Sequence, residues 1–597
     1  MVKAAVRWAG WTLAGGALAA AILAAQAPAA AKRLDSQQQI VQALNRLTWG
    51  IAPGDIALVQ RLGLKNWIQQ QLHPDKVVEN PELADALAPL ATLRMSPAEM
   101  MQRFPFGNAA KNARQDAAAA NRKEETDAQA KLAGLLTPEQ LAGISTGNPR
   151  QRVMEIESLP ANTREAVLAA LPRSLAQPLN PWLPLAQQRE LVARMNPRQV
   201  VALDLLDSKV LRAVYTNRQL EDVLTDFWFN HFNIYIRKNL DRNLITPYER
   251  DAIRPHVLGK FSDLLLATAE SPAMMFYLDN WQSVDPDSLA MRRRRAVAKP
   301  GAPTPGINEN YGREIMELQT LGVNGGYTQK DVTEVARCFT GWTILQPRQR
   351  AAFYYNDNLH DKGAKLVLGR VIPAGGGMND GLAVIQILAH SPATAHHISY
   401  QLAQRFVADE PPPALVNRMA STFLQSDGDL RQVMETMINS PEFWQSTYYR
   451  DKVKSPLEMV VSAVRALGAG VSNPTRLTQV IASMGQPLYA KEPPTGYENV
   501  GAAWVSSSGL IARLNFAMQL ARDQVPGVQV DVDALAAGAT AAPGLEQKLF
   551  QALLYEQASA STRSTIERAV ASLPNQAPAL PVQIAGLVLG SPDFQRR

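Results

Sequence analysis

The chain has 597 residues, 46% of them hydrophobic and 19% charged, with 36 Gly, 40 Pro and one Cys. That apolar fraction excludes wholesale disorder and low-complexity architectures, and the lone Cys338 excludes an intramolecular disulfide and a thiolate zinc cluster. A net charge of +6 is small for this length and leaves no nucleic-acid footprint.

The opening residues, 1–31, read as a secretory signal peptide. Lys3 and Arg7 precede an apolar, uncharged run over residues 8–25, and Ala27-Pro28-Ala29-Ala30-Ala31 offers small side chains for cleavage after Ala29 or Ala31. The run is also about the minimum that spans a bilayer, so a retained anchor is the competing reading. No later stretch approaches a membrane span, and the protein is expected to be periplasmic or secreted.

Beyond it one signal recurs. Ser or Thr followed by Pro heads an amphipathic run at Ser96-Pro97, Thr137-Pro138, Thr246-Pro247, Ser271-Pro272, Ser391-Pro392, Ser440-Pro441, Ser455-Pro456 and Ser591-Pro592. The hydroxyl accepts from an orphan first-turn amide, and proline at the first helical position gives up only an N–H that had no partner. Where Glu follows at the third position, as after Ser96 and Ser455, the capping box closes. Apolar residues then recur at helical spacing, as in Val384, Leu388, Ile398, Leu402 and Phe406. Strand-like alternation is confined to one hairpin over residues 353–368, Phe353-Tyr354-Tyr355 against Lys365-Leu366-Val367-Leu368. The expected fold class is all-α: a large multi-helix globular domain with one small β-hairpin insertion.

Residues 40–525 read as that helical domain. Within it, residues 109–131 form a charged, Ala-rich insertion with too few large apolar side chains to bury a face. Residues 291–306 read as a loop in which a run of arginines, Arg292 to Arg295, is solvated among prolines. Residues 526–543, rich in small side chains, read as a linker to a C-terminal helical segment, 544–597.

Several blocks resemble the bacterial family known as domain of unknown function 1800. They are Leu44-Asn45-Arg46-Leu47-Thr48-Trp49-Gly50, the aromatic-Asn-His block Phe227-Trp228-Phe229-Asn230-His231-Phe232, and Tyr248-Glu249-Arg250-Asp251. The longest runs from Asn308-Glu309-Asn310-Tyr311 through Arg313-Glu314 to Phe339-Thr340-Gly341-Trp342, with His360-Asp361, Arg405-Phe406 and Lys454-Ser455-Pro456-Leu457-Glu458 later. The resemblance covers about residues 40–520. It implies an exported bacterial protein of unestablished activity, often encoded beside a second exported protein that the resemblance offers as a candidate partner. The family's block typically carries His after Glu-Leu, where this chain has Glu317-Leu318-Gln319. A mechanism that needs an imidazole at that position does not carry over.

The helix after Asn308 can be read from its residues alone. At about 100° per residue, Asn310, Glu314 and Glu317 share one narrow face. Two carboxylates one turn apart repel unless a proton, a cation or a metal intervenes. If they brace helices, each should meet an arginine, with Arg313, Arg337 and Arg405 the nearest by motif; otherwise they suit a divalent cation or acid–base work. His231, one turn after Phe227 and next to Asn230, is either a hydrogen-bonded core residue or an imidazole held in one tautomer for chemistry. His360 and Asp361 sit at the hairpin tip, where Asp and Gly set a turn, and form a weaker metal candidate. His396 and His397 are adjacent, so they face different sides of a helix and make no metal pair.

No nucleophile elbow, zinc-protease motif, phosphate loop or dinucleotide fingerprint is present. Two functions stand open. One is an exported metal-dependent or hydrolytic enzyme using His231, Glu314 and Glu317, with Asn230 and Asn310 beside them. The other is a non-catalytic binding or assembly protein acting with a second exported protein. Neither involves nucleic acid or a membrane span after signal cleavage.

Overall fold

Helices begin largely where Ser-Pro and Thr-Pro place them. The computed structural model describes residues 32–105, 127–297, 306–537, 542–555, 557–571 and 580–597; the expected signal segment and most of the charged insertion lie outside them. Ser96, Thr137 and Ser455 close capping boxes on the helices Pro97–Arg103, Pro138–Thr146 and Pro456–Ala466, completed by Glu99, Gln140 and Glu458. Ser391 caps Pro392–Phe406 through the N–H of Ala393. Thr246-Pro247 starts nothing. Pro247 lies inside the helix Asp241–Pro247, and the chain runs on through a π-helical turn, Tyr248–Ile253. Proline removes an α-helical N–H there.

The apolar faces meet in one main core that draws side chains from Ile40 to Phe594 and includes the fully buried Trp49, Trp228, Trp342, Phe232 and Phe261. The C-terminal helices Ala542–Leu554 and Leu580–Gly590 join it, the second packed along Ser507–Ala521, with Leu549, Ile584, Val588, Phe516 and Leu520 buried. Part of the stretch read as a linker is ordered structure: Val528–Gln529 pairs with Gly470–Val471, and Val532 is buried. A smaller second core, with Ile144, Val153, Ile156 and Val167, packs Pro138–Thr146, Pro149–Glu157 and Ala161–Ala170. The all-α class stands.

Two details differ from the sequence reading. Arg292, Arg293 and Arg295 are solvated as expected, but on a helix, Leu289–Val297. The expected hairpin strands pair with other partners: β1 (Trp342–Leu345) with β2 (Ala352–Tyr355), and β3 (Lys365–Val367) with β4 (Arg370–Ile372), both antiparallel. The cause of the second pairing is local. Leu368 and Gly369 both take positive φ, +47° and +76°, the turn that folds β3 straight back on β4.

Candidate functional site

The helix Gln219–His231 runs through the core on Phe227, Trp228 and Phe229 and ends with His231, so its last turn delivers Asn230 and His231 to one place. His231 is wedged edge-on between Trp228 and Phe232, ring centroids 5.4 and 4.6 Å away. Burial, and then the neighbouring His397, pushes its pKa down to about 4. The side-chain amide of Asn230 is committed to backbone: it donates to the Tyr497 carbonyl (2.8 Å) and accepts from the Tyr497 N–H (2.7 Å). Asn233 donates to the carbonyls of Lys491 and Pro493 (2.9 Å each), so the two asparagines bind the following loop onto the helix end. The loop passes so close that a Cβ on Gly496, at φ +67°, would lie 2.2 Å from the Asn230 carbonyl oxygen. Gly496→Ala is therefore expected to cost about 1–3 kcal/mol in urea unfolding, through backbone strain and a displaced loop.

The helix Glu309–Glu317 buries Tyr311, Gly312, Ile315 and Met316 and turns Glu314 and Glu317 to the half-buried side. Among the described residues neither glutamate is in an ion pair. Arg313 donates to Gln329, Arg337 pairs with Glu334 and Asp361, and Arg405 pairs with Glu458. The bracing reading therefore fails. Glu317 instead accepts from the Tyr327 hydroxyl (2.8 Å), which burial and then Glu317 itself push up to about 12, so it remains a donor. The Glu314 carboxyl is raised by burial and next by Glu317, with Arg313 opposing.

His231, Glu317, His397, Gln401, Thr495 and Glu498 line one open cleft of about 220 Å³. Across its floor the Gln401 amide lies between two imidazoles, 2.7 Å from His231 Nδ1 and 3.0 Å from His397 Nε2. The outer ends of this chain are backbone: His231 Nε2 faces the Gln319 carbonyl (3.1 Å), and His397 bonds to the backbone of Leu318. Both His231 nitrogens face oxygens, Nε2 the Gln319 carbonyl and Nδ1 the Gln401 Oε1, so the single proton of the neutral ring serves one of the two. The Gln401 amide donates through its Nε2 to His397 Nε2. Burial lowers His397 as well, with the Leu318 backbone opposing and His396 adding to it. Both rings are thus held neutral at pH 7 in fixed orientations.

The His231 ring is expected to stay neutral from pH 8 down to pH 5 in an NMR titration. Half-exposed His390, raised by the Gln386 carbonyl and Asp427, should charge within that window. The sign follows from the lowered value. Stability contributed by neutral His231 is full above the ordinary histidine pKa of about 6.5 and is lost as pH falls from there toward about 4. A His231 resonance that titrates near pH 6.5 would refute this.

The chain matches the family described as Protein of unknown function (DUF1800) over residues 42–596. It belongs to that family. No curated protein and no solved structure matches it. Two of the family-like blocks meet at the cleft, one bringing Asn230 and His231 and the other Glu317. Gln319, where the family-like block departs, gives its backbone carbonyl to His231; its side chain is buried 3.6 Å from the Met274 sulfur, with Oε1 unpartnered.

Other expected residues lie elsewhere. Glu314 is one turn from Glu317 but does not line the cleft, and Asn310 is exposed with its amide near the Leu278 carbonyl (3.4 Å). The metal expectation for His360 and Asp361 is corrected. Both Asp361 oxygens bond to Arg337 (2.7 and 3.1 Å), and His360 is fully buried between Thr340 (2.8 Å to its carbonyl) and Asp380 (3.1 Å). Each candidate ligand atom is already taken. The Gly363 N–H does bond to Asp361 (2.8 Å), as the turn reading expects. Among the described residues no three His, Cys, Asp or Glu side chains are grouped to hold a metal ion. The sequence reading missed His397 and Gln401. Their i, i+4 spacing on Pro392–Phe406 puts both on one face, but only the fold aims that face at His231.

Proposed function

We propose that the protein is an exported enzyme working by proton transfer, of hydrolytic type, with Glu317 meeting the substrate. Glu314 tunes the charge of that helix face, and the neutral His231–Gln401–His397 chain orients the cleft floor. The observation that carries this reading is the presence of Glu317, His231 and His397 on one cleft with no arginine on the glutamates among the described residues. A carboxylate without a counter-cation, beside a second whose pKa is raised, is the arrangement that moves protons near neutral pH. The signal-like first residues support export, and no helix among the described residues is long and apolar enough to cross a membrane. The test is hydrolysis of ester, glycoside and peptide panels by wild type and Glu317→Gln. Equal turnover in the two proteins refutes the reading.

A second reading, docking to another exported protein, has one observation in its favour. Leu510, Ile511 and Leu514 on Ser507–Ala521 are 43%, 62% and 43% exposed, an uncovered apolar stripe. Cross-linking at Ile511 in an envelope extract would capture such a partner, and recovery of the uncross-linked chain alone would retire it.

A further inference from the structure

A second, narrower cavity, about 60 Å³, adjoins the cleft and shares Asn230, Tyr497, Glu498 and Asn499 with it. Its wall is rich in buried cations. Arg405 and Arg597 converge on one carboxylate oxygen of Glu458, Arg597 at 3.0 Å, and Lys452 pairs with Asp409. Behind this wall lie three more cations that pair with no carboxylate among the described residues. Arg46 donates to the Tyr448 carbonyl (2.6 Å), Arg513 to the Lys454 carbonyl (2.8 Å), and Lys454 lies 3.9 Å over the Phe594 ring. The acids facing the group are Glu458, Asp409, Asp451, Glu498 and Asp226, the last paired with Lys209 on the same wall, together with the terminal carboxylate of Arg597; against them stand Arg405, Arg597, Lys452, Lys209, Arg46, Arg513 and Lys454.

One donor is left over on the cavity wall. The Arg597 side chain is 3% exposed; its Nη2 donates to the Arg405 carbonyl (2.9 Å), while its Nη1 is buried without a partner among the described residues. A buried guanidinium edge with nothing to bond to is costly, and an anion is the group that removes the cost.

We propose that this cavity binds an oxyanion, the carboxylate, phosphate or sulfate of a substrate whose reacting part lies in the adjoining cleft. Arg597 and Lys452 hold the anion, and Arg405 positions Arg597 through its carbonyl. Only the placement of the reacting part rests on the acid–base reading above; anion binding stands on its own geometry. Without a bound anion the site is expected to shed protons, since burial, then Arg597, draws Lys452 down to about 8 and burial draws Lys454 well below its usual range. Anion binding near pH 8 should therefore take up a proton.

The test is isothermal titration of the full chain with inorganic phosphate, sulfate and acetate at low ionic strength, with sodium chloride of matched ionic strength as control. One saturable site is expected, weakened at least about tenfold in Arg597→Gln and in Lys452→Met, each matched to wild type by circular dichroism. Tighter phosphate or sulfate than acetate identifies a tetrahedral anion; the reverse identifies a carboxylate. Wild type with no saturable binding beyond chloride overturns the proposal, as does unweakened binding in either folded variant. Phosphate binding with unaltered turnover in Glu317→Gln would retire only the proposed function. Turnover that depends on Glu317 without anion binding would retire only this inference.

Discussion

Glu458→Gln is expected to lower the free energy of unfolding by about 3–5 kcal/mol, because it strands two buried guanidinium groups. Glu458 and both its partners, Arg405 and Arg597, are buried, and the same carboxylate accepts from the Ser455 N–H (2.8 Å) that opens Pro456–Ala466. Gln keeps the capping contact and the volume and removes only the charge, so the measured loss reports the ion pairs. Burial alone would raise this carboxyl, but Arg405, Arg597 and the Ser455 N–H together hold it far below the usual glutamate range. The stability it contributes is therefore fully present above the ordinary glutamate pKa, about 4.3, and is lost as pH falls below that value. Urea midpoints at pH 7 and pH 3 for both proteins check this: the variant should be much weaker at pH 7, and the gap should narrow in acid. A loss below about 1 kcal/mol at pH 7 would mean the pairs are worth no more than surface ones.

Glu317→Gln is expected to lower turnover by about 10²–10⁴-fold, the usual contribution of a positioned acid or base. Its stability should change by no more than about 0.5 kcal/mol, since Gln still accepts from Tyr327 and no buried cation is left behind. Glu314→Gln provides the companion measurement. A carboxyl raised in the fold loses stability as pH rises through the ordinary glutamate pKa to its higher folded value, so the neutral amide should be as stable as wild type or slightly more so at pH 7. A fall of several degrees in either melting temperature, with turnover retained, would return these glutamates to a bracing role.

Much of the local structure was legible from residues close in sequence. Ser96 with Glu99 and Ser455 with Glu458 are complete capping boxes within four residues, so no distant contact is needed to start those helices. The shared face of Glu314 and Glu317 follows equally from helical periodicity. Thr246-Pro247 carries the same two-residue signal and starts no helix, because the chain is already helical when it reaches it. The strand partners were misread for a related reason: alternation marks a strand but not its neighbour, and the Leu368-Gly369 turn chose β4 over β2.

The sequence by itself determined the helical class, the helix starts and the residue types of the site. The tertiary structure decided which of them meet. His231 and His397 are 166 positions apart, and Glu458 finds Arg405 and Arg597 on opposite sides of it in sequence, 53 and 139 positions away. Periodicity fixes which face of a helix a side chain occupies, but the direction that face takes depends on packing of the whole core. An arginine next to one glutamate and four residues from another can thus be drawn to Gln329, while an uncharged amide one turn from His397 meets His231 from a distant helix.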